Sequence, residues 1–472
     1  MNNYNVTIGL EMHCELKSNS KVFSPSLNNY NEIPNTNVNE IDLAFPGILP
    51  TVNEKCVKDA IKVALALNCE IPEYMYFDRK NYYYPDLPKG YQITQNTEPV
   101  GVNGNIDIDL DGKKLNVLIH DVHLEEDSAS MEHLSNESLI DYNRAGVPLL
   151  ELVTEPCLHS ADEAVAFLEY IRKVYQYLDV SDADITKGQI RCDVNVSISE
   201  DENLGTKVEV KNVNNFANVR ETILYEIKRQ SELKASGRYN EVEQETRRFD
   251  EESGTTIRMR SKVDAIDYKY FIEPNIPKFK IPNEWLNNLK DSIPELPLER
   301  KTKYINEYNL SEIDAINLIK EKSISDYFDK CIELGINPKT ASNWIITQIM
   351  GYLNKNNVVI EDIYLTPDMF KKLIDNIESG NISSKQAKDI FNKVLDEKKD
   401  IDEYLKDNNQ VSDKDELASI IDEILNNNQD NVEAYKNGKT NLFQFFVGQV
   451  MKQTKGKANP VITKELLEEK LK

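Results

Sequence analysis

The chain has 472 residues, of which 80 are acidic and 56 basic, and its formal net charge at pH 7 is −24. This length allows two to four domains, no apolar run approaches the roughly 18 residues of a membrane-spanning helix, and the N-terminus has no apolar block typical of a signal peptide. The acidic balance excludes a general binder of polyanions, although locally basic stretches at 205–262 and 452–472 allow RNA to be recognised by shape.

The first predicted element is a strand at residues 6–13, where apolar and polar side chains alternate. Side chains two residues apart on a strand share a face, so Glu11 and His13 lie on the side opposite Val6, Ile8, Leu10 and Met12. A histidine by itself is more often structural than a metal ligand. The glutamate two residues away on the same face makes this strand a candidate site.

Acidic residues follow further along the chain. The stretch 117–127 ends in Glu125, Glu126 and Asp127, and strict alternation places Glu125 on the face of His123 and Asp121. A bulge would change that assignment, so both glutamates are candidates. Glu151 is a carboxylate in an apolar stretch, where such a group usually pairs with a cation, and a metal ion is one such cation.

Three later strands, at residues 190–198, 206–211 and 257–262, alternate in the same way. Their polar faces carry Arg191, Asp193, Asn195, Ser197, Lys207, Glu209, Lys211, Arg258, Arg260 and Lys262. If these strands share a sheet, its apolar face packs on the helices predicted after Ser160 and Val219, and its open face forms a cradle. Carboxylates with an imidazole suit Mg²⁺, and arginines suit phosphate oxygens, so the pattern predicts ATP phosphoryl transfer. The alternative is a polar face that merely meets water.

The C-terminal part has a different pattern. Prolines between 274 and 297 break regular structure and predict a domain boundary near 290–297. Beyond it the pattern is helical, with predicted helix starts at Ser311, Ser325 and Ser383. An apolar helix at 441–454 precedes a lysine-rich turn at 455–460.

Several common motifs are missing from the sequence. It has no P-loop, no G-x-G-x-x-G, no paired-cysteine zinc spacing and no histidine placed to activate a Ser or Cys nucleophile. The six cysteines are scattered without paired spacing, which favours a reduced, cytoplasmic protein over a disulfide scaffold.

Nine further motifs occur along the chain, at Ile8–His13, Asp78–Gln92, His123–Asp127, Asp141–Arg144, Gln244–Phe249, Met259–Lys262, Asp267–Phe271, Val447–Lys452 and Gly456–Pro460. In these motifs and in their order the chain resembles, across essentially its whole length, the GatB family, the B subunits of the aspartyl/glutamyl-tRNA amidotransferases. So many long motifs make the resemblance very specific.

The resemblance implies an α+β fold with an antiparallel-sheet, glutamine-synthetase-like catalytic cradle at 1–293. An all-helical region would follow, with a helical domain at 294–405 and a YqeY-like, tRNA-binding tail at 406–472. It implies an ATP-dependent carbon–nitrogen ligase that uses glutamine as amide donor. ATP would phosphorylate the side-chain carboxylate of misacylated Glu-tRNA(Gln) or Asp-tRNA(Asn), and ammonia would displace the phosphate. The implied partners are an amidase (A) subunit and a small (C) subunit in a heterotrimer, with misacylated tRNA and no membrane.

The resemblance also assigns residues to roles. The catalytic and Mg²⁺ positions map onto Glu11, His13, Glu126, Glu151 and Asp193, with Glu125 as a further metal candidate. For Glu126 the resemblance overrides simple alternation. The predicted nucleotide and phosphate contacts are Arg191, Lys207, Lys211, Arg247, Arg248, Arg258 and Arg260. The predicted tRNA contacts are Lys452, Lys455 and Lys457.

Simpler interpretations remain for these residues. Each arginine could form a structural salt bridge, the lysines near 452 could be a solvated helix end, and Tyr82–Tyr84 could pack a loop rather than stack on the terminal adenosine. The segments 23–26 and 39–42 lack the cysteines of the family's zinc knob, so no structural zinc is expected. Lys269 replaces a family arginine and cannot form a bidentate pair. The alternative functions are a non-catalytic tRNA-binding scaffold and a free-standing ligase of a small carboxylate.

Overall fold

The structure is a computed structural model that describes residues 4–213, 215–261, 267–407, 414–454 and 458–471. The chain divides into two compact units, Met1–Arg300 and Lys301–Lys472. The strands all lie in the first unit: β1 Asn5–Glu15, β2 Tyr74–Met75, β3 Asp78–Asn81, β4 Tyr91–Thr94, β5 Gly101–Leu110, β6 Lys113–Glu126, β7 Ser130–His133, β8 Ser138–Asp141, β9 Pro148–Thr154, β10 Ile190–Ser199, β11 Val208–Val213, β12 Glu245–Asp250, β13 Thr255–Ser261, β14 Phe271–Ile272 and β15 Phe279–Lys280.

An eight-stranded sheet dominates this unit, in the order β13-β12-β11-β10-β1-β9-β6-β5. Neighbouring strands are antiparallel except β11 and β12, which run parallel. Small sheets pair β14-β3-β4, β15-β2 and β7-β8. The α+β class and the antiparallel cradle sheet predicted from the sequence are confirmed.

Helices cover one face of the large sheet. They are α1 Glu54–Ala66, α2 Ala161–Tyr177 and α3 Phe216–Ala235, and their first turns are capped by Asn53, Ser160 and Asn215, whose side chains accept backbone N–H bonds. Beneath them lie the apolar side chains of β1 and β10, including Ile8, Leu10, Met12, Cys192, Val194 and Val196, all at most 2 % exposed. The predicted alternation is confirmed for both strands, and burial of each large aliphatic side chain contributes about 1.5–3 kcal/mol.

We call the other face of the large sheet, which α1, α2 and α3 leave uncovered, the open face. The register of the strands aligns the polar residues on this face. His13 lies opposite Arg191 on one side and Glu151 on the other, and Glu151 lies opposite His123. One pleat further along, Glu11 lies between Asp193 and Val153. Four neighbouring strands therefore bring charged side chains from distant parts of the sequence into adjoining rows.

The edge strand β13 departs from the predicted alternation. Ile257 and Met259 are exposed at 39 % and 58 %, although they were expected on the apolar face. Arg258 instead pairs with the buried Glu245, which also contacts Arg229 of α3. The register of this hairpin shifts between Thr246 and Arg247, and such a bulge redirects the side chains that follow it.

The remaining regular structure in the described residues is helical. The helices are α4 Asn283–Asp291, α5 Pro297–Asn306, α6 Glu312–Leu318, α7 Lys322–Glu333, α8 Pro338–Trp344, α9 Met350–Asn356, α10 Pro367–Glu378, α11 Ser384–Glu397, α12 Ile401–Asp407, α13 Lys414–Asn426, α14 Gln429–Lys436, α15 Leu442–Gln453 and α16 Pro460–Lys470. Helix α5 crosses the boundary between the units. None of the helices in the described part of the chain has the length and hydropathy of a membrane span.

The predicted helix starts are correct at Ser311 and Ser383, which cap α6 and α11. The start predicted at Ser325 is wrong, because α7 begins at Lys322 and the buried Ser325 hydroxyl donates to the Leu318 carbonyl. One hydrophobic cluster of the second unit extends from Tyr304 to Leu405 and another from Leu417 to Leu471. The division into domains at 293 and 405 stays a prediction.

Candidate active site

The first group of possible cation ligands lies at the centre of the open face. His13 Nε2 is 3.2 Å from Glu151 Oε2 and 3.5 Å from Glu125 Oε1. One ligand atom from each of these residues lies within 4.8 Å of the other two. Because β1, β9 and β6 are neighbours in the sheet, residues separated by more than a hundred positions converge here.

The electrostatics of this first group indicate an environment that favours positive charge. Burial by itself would lower the pKa of His13, but the negative charges of Glu151, Glu125 and Asp193 raise it to about 9. Burial raises the pKa of Glu125, and the nearby Glu151 adds to the rise. The pKa of Glu151 falls well below its usual range, because its two histidine neighbours outweigh burial. These carboxylates thus favour a positive charge at His13, either a proton or a metal ion that displaces it.

His123 holds Glu151 from the far side. Its Nε2 lies 2.9 Å from Glu151 Oε2, and its Nδ1 lies 2.7 Å from Asp121 Oδ1. A protonated imidazole donates a hydrogen bond at each nitrogen. Asp121 therefore orients His123, and His123 fixes the carboxylate of Glu151 beside His13.

A second group lies next to the first and contains Glu11, Asp193 and Glu209, again with ligand atoms within 4.8 Å of one another. Lys211 Nζ lies 2.8 Å from both Asp193 and Glu209. Lys207 Nζ is 3.8 Å from Glu11. This second group therefore already holds an ammonium between two of its carboxylates. Burial lowers the pKa of Lys211, but Asp193 and Glu209 more than offset this and raise it.

Glu126 does not join either group among the residues that the structure describes. Its carboxylate accepts hydrogen bonds from Lys89 Nζ at 2.6 and 2.5 Å and from the Ile93 amide at 2.9 Å, and it is 2 % exposed. The register of β6 against β9 continues without a shift from Asp121 to Glu126, so Glu125 and Glu126 point to opposite sides. Simple alternation placed Glu125 correctly, and the metal-binding role that the resemblance implies for Glu126 stays a prediction.

The predicted phosphate-binding cations fall into two sets. Arg191, Lys207 and Lys211 lie on the open face, where Arg191 pairs with Asp127 at 2.9 Å. Arg248 is 54 % exposed on its side chain and lies opposite Lys211 in the sheet register.

Arg247 and Arg258 lie on the other side, toward α3, so the placement of Arg258 on the open face by alternation is wrong, while the predicted nucleotide contacts of both arginines stay a prediction. Arg247 pairs with Glu245 at 2.8 Å and with the fully buried Glu226 of α3 at 3.3 Å. Arg247 lies opposite the buried Val210 of β11, so its neighbour Arg248 takes the open face. For Arg258 the cause is the register shift between β12 and β13. The side chains of Arg260 and Lys262 lie outside the described residues, as do Lys455 and Lys457, while Lys452 is exposed in the last turn of α15.

His123, Asp121 and Glu209 were not predicted as site residues. Each nevertheless lies on the same face of its strand as a predicted site residue, Glu125 for the first two and Lys211 for Glu209. No alternation pattern in the sequence pointed to Lys80. It comes from β3, outside the large sheet, and the charge of Glu125 raises its pKa against the effect of burial. Tyr82 packs its ring edge on Tyr268 at 5.9 Å between centroids, which fits loop packing.

Two known family models match this chain. A model described as "GatB/GatE catalytic domain" matches residues 6–287, and one described as "GatB domain" matches residues 326–471. The chain belongs to the GatB family. It is 45 % identical to the B subunit of the aspartyl/glutamyl-tRNA(Asn/Gln) amidotransferase of Halalkalibacterium halodurans and 46 % identical to that of Staphylococcus aureus (strain MRSA252), each over 99 % of both chains.

The GatB subunit of Geobacillus thermodenitrificans is 45 % identical, again over 99 % of both chains. The family resemblance drawn from the sequence motifs is confirmed. GatB proteins are subunits of an amidotransferase, so the prediction of a glutamine-dependent ligase subunit is confirmed at the level of the family.

Proposed function

We propose that this chain uses ATP to phosphorylate the side-chain carboxylate of Glu or Asp on a misacylated tRNA and then converts the activated acyl group to the amide. The observation that carries the proposal is the convergence of His13, Glu125 and Glu151 on an open sheet face, beside a second carboxylate group with two lysines. A phosphoryl-transfer site needs this combination of cation ligands and phosphate-binding charges.

The first group offers the better metal site. Two carboxylates and an imidazole suit a hard divalent cation such as Mg²⁺, and the hydrogen bond from His123 would hold Glu151 in place as a ligand. The second group has Lys211 between Asp193 and Glu209, so its charge is already partly balanced. Bound Mg²⁺ would neutralise the phosphate charge that develops during transfer.

The chemistry has two steps. An oxygen of the side-chain carboxylate attacks the γ-phosphorus of ATP, and ADP leaves. Ammonia then attacks the acyl carbon, and inorganic phosphate leaves with the pair of electrons of the C–O bond. Lys207, Lys211, Arg191 and Arg248 are the cations of the open face that would orient the phosphate oxygens.

The proposal includes partners. The sequence has no motif for glutamine hydrolysis, so an amidase (A) subunit would release the ammonia, and a small (C) subunit would complete a heterotrimer in the cytoplasm. Lys452 is an exposed cation near the end of α15 and would contact the tRNA backbone together with Lys455 and Lys457.

The test uses the chain assembled with its amidase and small subunits. ATP, Mg²⁺, glutamine and Glu-tRNA(Gln) are supplied, and ADP and Gln-tRNA are measured. His13→Ala should abolish both products, whereas Arg220→Ala, which breaks an exposed pair with Asp162, should leave both unchanged.

Two other outcomes would contradict the proposal. Full turnover by His13→Ala would indicate a non-catalytic tRNA-binding scaffold. ADP release that needs no tRNA would indicate a ligase of a small carboxylate.

A further inference from the structure

A cavity of about 540 Å³ opens within the second unit. It lies between the start of α6 and the helical turns that lead from α8 toward α9, and α6 packs against both of these. Cavities that hold small ligands usually measure about 300–1,000 Å³. The cavity is therefore large enough for a metabolite.

A π-helical turn forms one wall of this cavity. It covers Ile345–Ile349 and joins α8 to α9. Turns of this kind are rare and occur frequently at functional sites. Beside the turn, the Thr347 hydroxyl donates to the Asn343 carbonyl at 2.6 Å, and both residues line the cavity. The irregular helix thus coincides with the polar wall.

Ser342 of α8 also lines the cavity and carries a buried hydroxyl. The residue is 2 % exposed, and its hydroxyl has no hydrogen-bond partner among the residues that the structure describes. Buried polar groups without a partner are rare in folded proteins, and each needs an explanation. A ligand that binds at this wall would supply the missing partner.

One acid and one cation line the cavity. Asp314 of α6 is held by Ser311, whose hydroxyl donates to Asp314 Oδ2 at 2.7 Å, while Oδ1 accepts no bond from the described residues. Lys339 of α8 is exposed, and its ammonium forms no ion pair within the described part of the chain. An ammonium group suits Asp314, and a carboxylate suits Lys339. A free amino acid carries both groups.

The remaining lining is uncharged and indicates the side chain of such an amino acid. Asn309 and Asn343 contribute amides beside the hydroxyls of Ser342 and Thr347, and none of the described lining residues is aromatic. A flat ring prefers aromatic and apolar walls. A side-chain carboxylate would find no second cation here, whereas a carboxamide both donates and accepts hydrogen bonds and so matches amides and hydroxyls.

We propose that this cavity binds a free α-amino acid with a carboxamide side chain, which is glutamine or asparagine. Its ammonium pairs with Asp314, its α-carboxylate pairs with Lys339, and its carboxamide lies against Ser342 and Asn343. The inference goes beyond the proposed function and does not depend on it, because neither ATP nor tRNA takes part in the binding.

The experiment titrates L-glutamine and L-asparagine into the full chain by calorimetry. The partner subunits are left out, so that no amidase site binds the ligand. At least one of the two should saturate at one molecule per chain with a Kd of about 1 mM or lower. L-Glutamate and L-aspartate should bind at least about tenfold more weakly, and so should 4-carbamoylbutanoate and succinamate, the two amides without the ammonium group.

Three variants locate the binding. Asp314→Asn and Lys339→Met should each weaken it about tenfold or more, because each removes one charged partner. Lys355→Met is the matched control, since it removes an exposed lysine that does not line the cavity, and its affinity should equal that of wild type. Ser342→Ala should weaken binding but raise the unfolding temperature of the free chain, because it removes a buried hydroxyl without a partner.

Two results would overturn the inference. One is a Kd above about 1 mM for both amides, and the other is wild-type affinity in both Asp314→Asn and Lys339→Met. Glutamate binding as tightly as glutamine would contradict the assignment of the carboxamide. Each of these results leaves the proposed function standing, because tRNA-dependent ADP formation is measured separately on the assembled enzyme.

Discussion

His13 of β1 contacts two carboxylates on other strands, Glu125 of β6 and Glu151 of β9, and His123 of β6 contacts Glu151 from the adjacent strand. Opposite charges thus alternate across the sheet, which stabilises side chains that would otherwise repel one another. A divalent cation bound by Glu125, Glu151 and His13 would take the place of the His13 proton. The structure and the family resemblance differ at two neighbouring residues. The structure places Glu125 in the first group, whereas the resemblance assigns the catalytic metal position to Glu126.

Glu125→Gln should abolish ATP- and tRNA-dependent ADP formation, because it removes a carboxylate from the first group. Glu126→Gln should keep measurable ADP formation but lower stability by about 1–3 kcal/mol, because it weakens the buried contacts with Lys89 and Ile93. Both variants are assayed for ADP release and for their thermal unfolding temperature. Loss of ADP formation in a stably folded Glu126→Gln, with activity kept in Glu125→Gln, would restore the family-based assignment.

His123→Asn should act through the position of Glu151. The change removes the hydrogen bond to the Glu151 carboxylate but leaves Glu151 itself in place. The Mg²⁺ concentration for half-maximal activity should rise about 10–100-fold, with a smaller loss of kcat at saturating Mg²⁺. An unchanged Mg²⁺ dependence, measured by titrating the metal at fixed ATP, would exclude this positioning role.

At the scale of elements, the edge hairpin β12–β13 has a different role from the one its arginines suggest. Glu226 and Glu245 are buried between α3 and this hairpin, and Arg229 and Arg247 pair with them. The arginine run in the sequence therefore joins a helix to the sheet, and only part of it faces the open side. Buried ion pairs of this type are costly to break.

Arg247→Met should lower the free energy of unfolding by about 1–3 kcal/mol, because Glu226 and Glu245 each lose one of their buried partners but keep Arg229. The KM for ATP should stay unchanged. Arg248→Met is the matched variant: its exposed side chain should contribute less than about 0.5 kcal/mol to stability, while the KM for ATP rises. Chemical denaturation measures stability, and steady-state kinetics measure the KM for ATP. A raised KM for ATP in Arg247→Met without loss of stability would instead indicate that Arg247 contacts the nucleotide.

At the scale of the whole molecule, chemistry and the proposed tRNA contacts fall in different units. Both carboxylate groups belong to Met1–Arg300, whereas Lys452 belongs to Lys301–Lys472. Within the second unit, the cluster that extends from Leu417 to Leu471 has its own buried residues, distinct from those between Tyr304 and Leu405. We therefore expect that the C-terminal cluster can be removed without opening the other one.

Deleting residues 406–472 should raise the KM for tRNA about tenfold or more and leave the KM for ATP unchanged, because the proposed backbone contacts are lost and the carboxylate groups are kept. The KM for tRNA should also depend less strongly on salt concentration in the shortened chain than in the full chain. Kinetics at several salt concentrations test this, with circular dichroism to confirm folding. An unchanged KM for tRNA would contradict the predicted role of the tail.

The amino-acid sequence was sufficient to establish the family, the antiparallel sheet and the parity of Glu11, His13, Asp193 and Glu125, because alternation along a strand is a local property. Which strands are neighbours became clear only from the folded chain, since pairing depends on chain paths that no local pattern encodes. That pairing brought His123, Asp121 and Glu209 to the site and placed Arg247 opposite the buried Val210, and a register shift in β12–β13 turned Arg258 away.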